Sequence, residues 1–345
     1  MKIDGGVSGM RQERYRRKRR RENYAVRFIL GTVILTVVFL GLILACAGLD
    51  FLQPVNGVKE DHRPTARVVN AAGLEEDEKV KNEIRDGELY SRTGILVRLS
   101  DGAVMAQYNP KERIYPASLT KIMTCIVVLE HTDDLNKPVT IDGKTYNELY
   151  EQEASMAGFF PGEEARVIDL LYGSILPSGG ECSAALAGYV SGLESSFVEL
   201  MNEKAEELGM NRTHFVNATG LHDEEQYSTV EDMAELLKYA LQNETFREIF
   251  CCRSYQVPST NQHLGGFTIE SSVFSLRDDW IFENGEILGG KTGFTDQAGL
   301  CLATLAVVGG EEYIAITAGA EGDHSTEPWH VYDAFYLYRL IEAFD

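Results

Sequence analysis

Apolar residues recur at helical spacing over five stretches in the middle of the chain: Ala117 to His131, Val167 to Leu176, Cys182 to Leu193, Ser195 to Leu208 and Thr229 to Gln242. Toward both ends the pattern shortens to that of strands. Ile95, Leu96, Val97 and Leu99 precede Ser100-Asp101-Gly102, and Val104, Met105 and Tyr108 follow, which predicts a hairpin around an Asp-Gly turn. Leu300 to Val308 and Tyr313 to Ala318 flank Gly309-Gly310 and predict a second hairpin. Ser325-Thr326 and Pro328 then open a last helix, WHVYDAFYLYRLIEAF. Strands at both ends with helices between them predict one antiparallel sheet assembled from distant parts of the chain. The helical middle packs on and beside it, giving an α+β architecture.

Ahead of this pattern lies a different one. Phe28 to Leu49 is a run of 22 residues without a charge. As a helix rising about 1.5 Å per residue it spans roughly 30 Å, the hydrocarbon thickness of a bilayer. Residues 1–27 hold ten Lys/Arg against three acids, so they carry +7, while the whole chain is −21 and the remainder therefore −28. Basic residues resist translocation, so the basic segment is expected in the cytoplasm and the acidic remainder outside. A cleaved signal peptide is a competing reading, since Ala45 and Ala47 offer an A-x-A site, but its apolar region runs only about 7–15 residues. Lipidation at Cys46 is another, with Leu44 a poor match to the required pattern.

Residues 50–89 are polar, contain Pro54, Pro64 and the charged stretch LEEDEKVKNEIRDGE, and read as a tether, with a short helix expected near Leu74 to Ile84. The expected layout is thus a basic cytoplasmic segment (1–27), a transmembrane anchor (28–49), a linker (50–89) and a folded domain (90–345). The acidity of that domain argues against nucleic acid as a partner.

Six cysteines do not make a metal site: Cys125, Cys182, Cys251, Cys252 and Cys301 lie beyond the anchor, and the vicinal pair supplies no C-x-x-C clamp. No metal or other cofactor is expected, and no glycine-rich phosphate loop is present. Core packing is the expected role of the thiols.

Three short motifs carry the candidate chemistry. Ser118-Leu119-Thr120-Lys121 follows Pro116 and opens an apolar helix, so Ser118 falls at a helix start where backbone N–H groups are unpaired. Lys121, three residues on, shares its face. A serine hydroxyl needs a neighbouring base to become a nucleophile, and a desolvated lysine supplies one. Ser178-Gly179-Gly180 sits in a tight turn between helices, where a second hydroxyl can relay a proton. Lys291-Thr292-Gly293 lies at the end of an expected strand; Gly293 lets a ligand lie against the strand, and the lysine and hydroxyl suit a carboxylate. Each motif alone has an ordinary reading: a capping serine with a solvated lysine, a helix linker, and a strand end.

Their order and spacing, S-x-x-K, then S-x-[N/G] 60 residues on, then K-T-G another 113 on, resemble the signature set of penicillin-interacting serine enzymes. YPASLTKIMTCIVVLE, LLYGSILPSGGECSAALA, FVNATGLHDEEQYSTVEDMAELLKYAL and GGKTGFTDQAGLCLA extend the resemblance over roughly 90–345 to the low-molecular-weight penicillin-binding proteins, the S11-like serine D-Ala-D-Ala carboxypeptidases. The resemblance implies a β-lactamase/transpeptidase-like fold with an antiparallel sheet, flanking helices and a mainly helical subdomain. It implies Ser118 as acylated nucleophile, Lys121 as general base and Ser178 as proton relay. Lys291 and Thr292 would position the substrate's terminal carboxylate, with the peptide lying against Gly293, and the backbone N–H groups of Ser118 and Phe294 would form the oxyanion hole. The implied partners are peptidoglycan stem peptides ending in D-Ala-D-Ala, β-lactams as inhibitors, and the bilayer of a bacterial cytoplasmic membrane.

This chain departs from the family at Gly180, where an Asn amide usually bridges the catalytic lysine and the substrate backbone. Losing that contact costs about 1–3 kcal/mol of transition-state stabilisation. Gly180 is the one feature favouring a weakly active or non-catalytic peptidoglycan-binding homologue. A class A-like β-lactamase is a further alternative, but Arg212 to Asn217, where its deacylating Glu is expected, holds no carboxylate. Many family members carry a C-terminal amphipathic anchor, whereas here the anchor is expected at the N-terminus.

Overall fold

The computed structural model describes residues 82–342. The basic segment, the apolar run 28–49 and most of the 50–89 stretch lie outside the described residues. Among the described residues no helix is long and apolar enough to cross a membrane.

Asn82–Glu83 (β1), Thr93–Arg98 (β2) and Val104–Tyr108 (β3) come first. A helical block follows, with Thr120–Glu130 (α1), Gly143–Glu151 (α2), Val167–Ile175 (α3), Gly180–Ser191 (α4), Glu194–Glu207 (α5), Val230–Ala240 (α6) and Glu244–Cys251 (α7). Inside it Pro138–Thr140 (β4) pairs antiparallel with Glu164–Arg166 (β5). Ser254–Val257 (β6) and Phe267–Glu270 (β7) form a separate hairpin. Ile281–Phe282 (β8), Gly285–Thr295 (β9), Gly299–Val308 (β10), Glu311–Ala320 (β11) and Trp329–Glu342 (α8) complete the chain.

Seven strands form one sheet in the order β1-β3-β2-β11-β10-β9-β8, antiparallel except where β1 runs parallel to β3. The C-terminal hairpin thus sits between the N-terminal strands and β9, as strands at both ends of the chain require. Strand β10 shows why the sheet is covered on both faces. Cys301, Ala303 and Leu305 join the core shared with the helical block, while Leu302, Ala306 and Val308 join the core under α8. Side chains alternate across a strand, so an apolar residue at nearly every position means two buried faces.

Both expected hairpins form, and Gly309 and Gly310 turn the second with φ of 60° and 89°. The five expected helices lie within a few residues of α1, α3, α4, α5 and α6. Helix starts follow local chemistry: at α6 Thr229 accepts from Asp232 N at 3.0 Å, and at α7 Asn243 accepts from Phe246 N at 3.0 Å. Helices α2 and α7 and the β6–β7 hairpin were not anticipated. The expected helix near 74–84 is corrected at its end: Asn82–Glu83 is a strand. The end of the stretch read as linker therefore belongs to the folded domain, because Ile84 and Leu89 are buried in the core beneath α8.

Asp333 closes the domain end to end. Its buried carboxylate on α8 accepts Tyr90 N at 2.9 Å and Ser91 N at 2.8 Å, from the segment leading into β2. Replacing it strands two backbone donors in the interior. Asp333→Ala is expected to lower the unfolding free energy by about 2–3 kcal/mol in urea titrations, and Asp333→Asn, which keeps one acceptor oxygen, by less.

Candidate active site

Ser118 sits in a 3₁₀ turn, Ala117–Leu119, that feeds α1, rather than within the α-helix itself. Ala117 has φ +47°, a left-handed conformation that a non-glycine residue adopts at a cost. Two glycines press on this turn from outside. A Cβ on Gly220 (φ +84°) would collide with Ala117 O and lie 2.9 Å from Ser118 N. One on Gly293 of β9 would lie 3.2 Å from both Pro116 O and Ser118 N. The turn carrying Ser118 is thereby clamped between β9 and the 217–220 segment.

Lys121 is 3% exposed, and its Nζ donates to Ser118 Oγ at 3.0 Å and to Thr219 O. Asn217 shapes the segment that supplies this carbonyl, its Oδ1 accepting Gly220 N at 2.8 Å and Thr219 N at 3.2 Å. Burial pulls Lys121 down from the ordinary lysine range to about 8, with the nearby charge of Glu181 acting in the opposite direction. A lysine held there is uncharged in a far larger fraction of molecules near neutral pH than an ordinary lysine, and its Nζ lies within hydrogen-bond reach of the serine hydroxyl.

A second amine–hydroxyl pair lies close to the first. Lys291 is fully buried; its Nζ donates to Ser178 Oγ at 2.8 Å and to Thr292 O at 2.8 Å. Burial first, and the neighbouring charge of Lys121 second, push Lys291 well below its ordinary range. Ser178 itself has φ +67°, so its turn is also held in a left-handed conformation. Thr292 Oγ1 shares a hydrogen bond of 2.8 Å with Ser272 Oγ.

Ser118, Ser178, Thr292, Gly293 and Phe294 line one cavity, together with Ser155, Ser272 and His324, which motif reading did not single out. These last three lie in loops or just after a short strand, where no periodicity marks them. Gly180 is not among the lining residues: it is buried in the first turn of α4, and its N–H donates to Ser155 O at 2.7 Å. Beside the cavity, β8 pairs with β9 only through Ile281↔Glu286 and Phe282↔Gly285. Among the described residues no further strand covers the outer edge of β9, so the part carrying Lys291 to Phe294 is open to an extended peptide.

The five cysteines of the described residues are free thiols. Burial pushes Cys125 up to about 12 and Cys301 up to about 11, away from thiolate chemistry. Among the described residues no group of His, Cys, Asp and Glu is placed to hold a metal ion.

A seven-stranded sheet with a helical block on one face, a serine at a helix start and a lysine one turn along define the transpeptidase-like class of serine proteins. The chain belongs to the D-alanyl-D-alanine carboxypeptidase family, peptidase S11, which matches residues 68–322. It is 31% identical over 237 residues to D-alanyl-D-alanine carboxypeptidase DacF of Bacillus subtilis (strain 168), covering 67% of this chain and 57% of that one. It is 34% identical over 240 residues to DacC of Escherichia coli (strain K12), covering 68% and 57%. The chain thus spans a little over half the length of these curated relatives. The crystal structure of the Streptomyces K15 DD-transpeptidase superposes with a TM-score of 0.67 at 26% identity, covering 75% of this chain and all of that one.

The buried amine of Lys121 has a signature in stability. Unfolded, it regains an ordinary lysine pKa, so between about pH 8 and 10.5 the unfolded chain binds more protons than the native one. Its contribution is therefore fully favourable only above the unfolded value and is lost as pH falls toward 8. In chemical denaturation, Lys121→Met is expected to gain stability relative to the native chain as pH is lowered over that window, by up to about 3 kcal/mol.

Proposed function

We propose that this chain is a membrane-anchored serine D-Ala-D-Ala carboxypeptidase that trims the terminal D-alanine from peptidoglycan stem peptides. The observation that carries the reading is the Lys121 Nζ–Ser118 Oγ contact of 3.0 Å, made by a lysine that burial holds at about 8. Neutral Lys121 takes the hydroxyl proton as Ser118 Oγ attacks the carbonyl between the two D-alanines. The backbone N–H groups of Ser118 and Phe294 hold the resulting oxyanion; the close approach of Gly293 to Ser118 N supports this assignment. The proton passes through Ser178 to the departing amine, and D-alanine leaves. Lys291 and Thr292 hold the substrate's terminal carboxylate, with the peptide lying along the open edge of β9. Water then cleaves the Ser118 ester, releasing the shortened peptide and restoring the hydroxyl. β-Lactams enter the same route and stop at the acyl-enzyme.

The uncharged run 28–49 and its basic flank support a single-pass anchor in the cytoplasmic membrane, N-terminus inside, with the catalytic domain on the outer side. Resistance of the intact chain to carbonate extraction from membranes checks this; recovery in the soluble fraction argues for removal of the segment.

The activity is tested with the detergent-solubilised chain and diacetyl-L-Lys-D-Ala-D-Ala. Free D-alanine should appear, and Ser118→Ala should reduce it by roughly a thousandfold or more and abolish labelling by fluorescent penicillin. The acylation rate should climb as pH rises through about 8, because Lys121 must lose its proton to act as a base. A folded chain that neither releases D-alanine nor takes the label would have only a peptidoglycan-binding role.

A further inference from the structure

Resting on the carboxypeptidase reading, we propose that Ser155 is a substrate-positioning residue. Its hydroxyl stands on the cavity wall where Gly180 offers no side chain, and hydrogen-bonds the backbone of the peptide held against β9.

Three sets of observations converge on it. First, the segment bearing Ser155 is docked on the start of α4. Gly180 N donates to Ser155 O at 2.7 Å, and Glu181 Oε1 accepts Ala157 N at 2.7 Å and Gly158 N at 3.0 Å. Glu181 is 2% exposed, and its other oxygen has no partner. Burying a carboxylate in this way is costly. The bonds it makes to two backbone donors fix the 155–158 segment in place.

Second, the segment fills the space that side chains at 179 and 180 would need. A Cβ on Gly180 would lie 3.3 Å from Ala154 Cβ and 3.4 Å from Ser155 O, and one on Gly179 2.7 Å from Ala157 Cβ. A Cβ at 180 asks the loop to give by a few tenths of an ångström, whereas one at 179 requires it to shift. The 154–157 segment is thus packed closely against both glycines.

Third, Ser155 is the cleft hydroxyl left for a ligand. Ser118 is engaged by Lys121, Ser178 by Lys291, Ser272 by Thr292, and Thr326 by Asp323. Ser155 lines the same cavity, is exposed, and its hydroxyl makes no hydrogen bond within the described residues. Exposed to solvent, it can exchange water for a peptide N–H or C=O without breaking a protein hydrogen bond.

Full-length Ser155→Ala, Ser155→Thr and Gly180→Asn chains, assayed for D-alanine release from diacetyl-L-Lys-D-Ala-D-Ala, test this. Ser155→Ala should lower kcat/KM about tenfold, mainly through KM, with an unchanged melting temperature. Ser155→Thr, which keeps the hydroxyl, should recover to within about threefold. Gly180→Asn should lose activity, since its side chain crowds the closely packed segment that holds Ser155. A Ser155→Ala chain within twofold of wild type, or a Gly180→Asn chain more active than wild type, overturns the role of Ser155 while wild-type release upholds the carboxypeptidase reading. No release by wild type overturns both.

Discussion

Two lysine ammonium groups are buried side by side with neutral oxygens as their hydrogen-bond partners. Lys121 reaches a serine hydroxyl and a backbone carbonyl, and so does Lys291. Water would stabilise either charge better than these partners do, and each charge also repels the other. The surrounding fold must therefore hold both amines in place against their own solvation. It does so with elements far apart in sequence: α1 brings Lys121, β9 brings Lys291, the turn before α4 brings Ser178, and the 217–220 segment closes over Lys121 with a carbonyl. The same burial that disfavours each charge makes each ammonium easier to deprotonate.

The architecture explains how such a site is supported. Strand β9 lies next to β10, whose side chains are buried on both faces, so Lys291 is mounted on a rigid neighbour rather than on a loop. Against it press the serine turns, at Ala117 and Ser178, both in left-handed backbone conformations. Residues held in this way persist only where packing around them is tight. Here the packing partners are backbones approaching where glycines leave room.

Much of this could be read from the chain, for specific reasons. Helices α1, α3, α4, α5 and α6 announce themselves by apolar spacing, and the two hairpins by Asp-Gly and Gly-Gly turns. Ser118, Lys121, Ser178 and Lys291 were legible because three short motifs fall in order, although none is informative alone. What escaped was held by contacts without periodicity. The two-residue strand β1 exists because Ile84 and Leu89 find a core beneath α8, which no local pattern reveals. Gly180 reads in the sequence as a missing amide; in the fold the Ala154–Ser155 segment packs closely against it, a relation between residues some 25 positions apart. Ser272 and His324 line the cavity from loops whose composition is ordinary.

The outer edge of β9 raises a problem that any uncovered strand poses: it is a template for another copy of the same protein. Gly289, Gly290 and Gly293 give this edge poor intrinsic preference for extended pairing, and a Cβ at 289 or 290 would press on neighbouring backbone within 3 Å. Such a strand is receptive to a short guest whose ends are gripped chemically, yet a weak nucleus for indefinite stacking. That separation of hospitality from stickiness favours a transient occupant of the groove over a second copy of the chain.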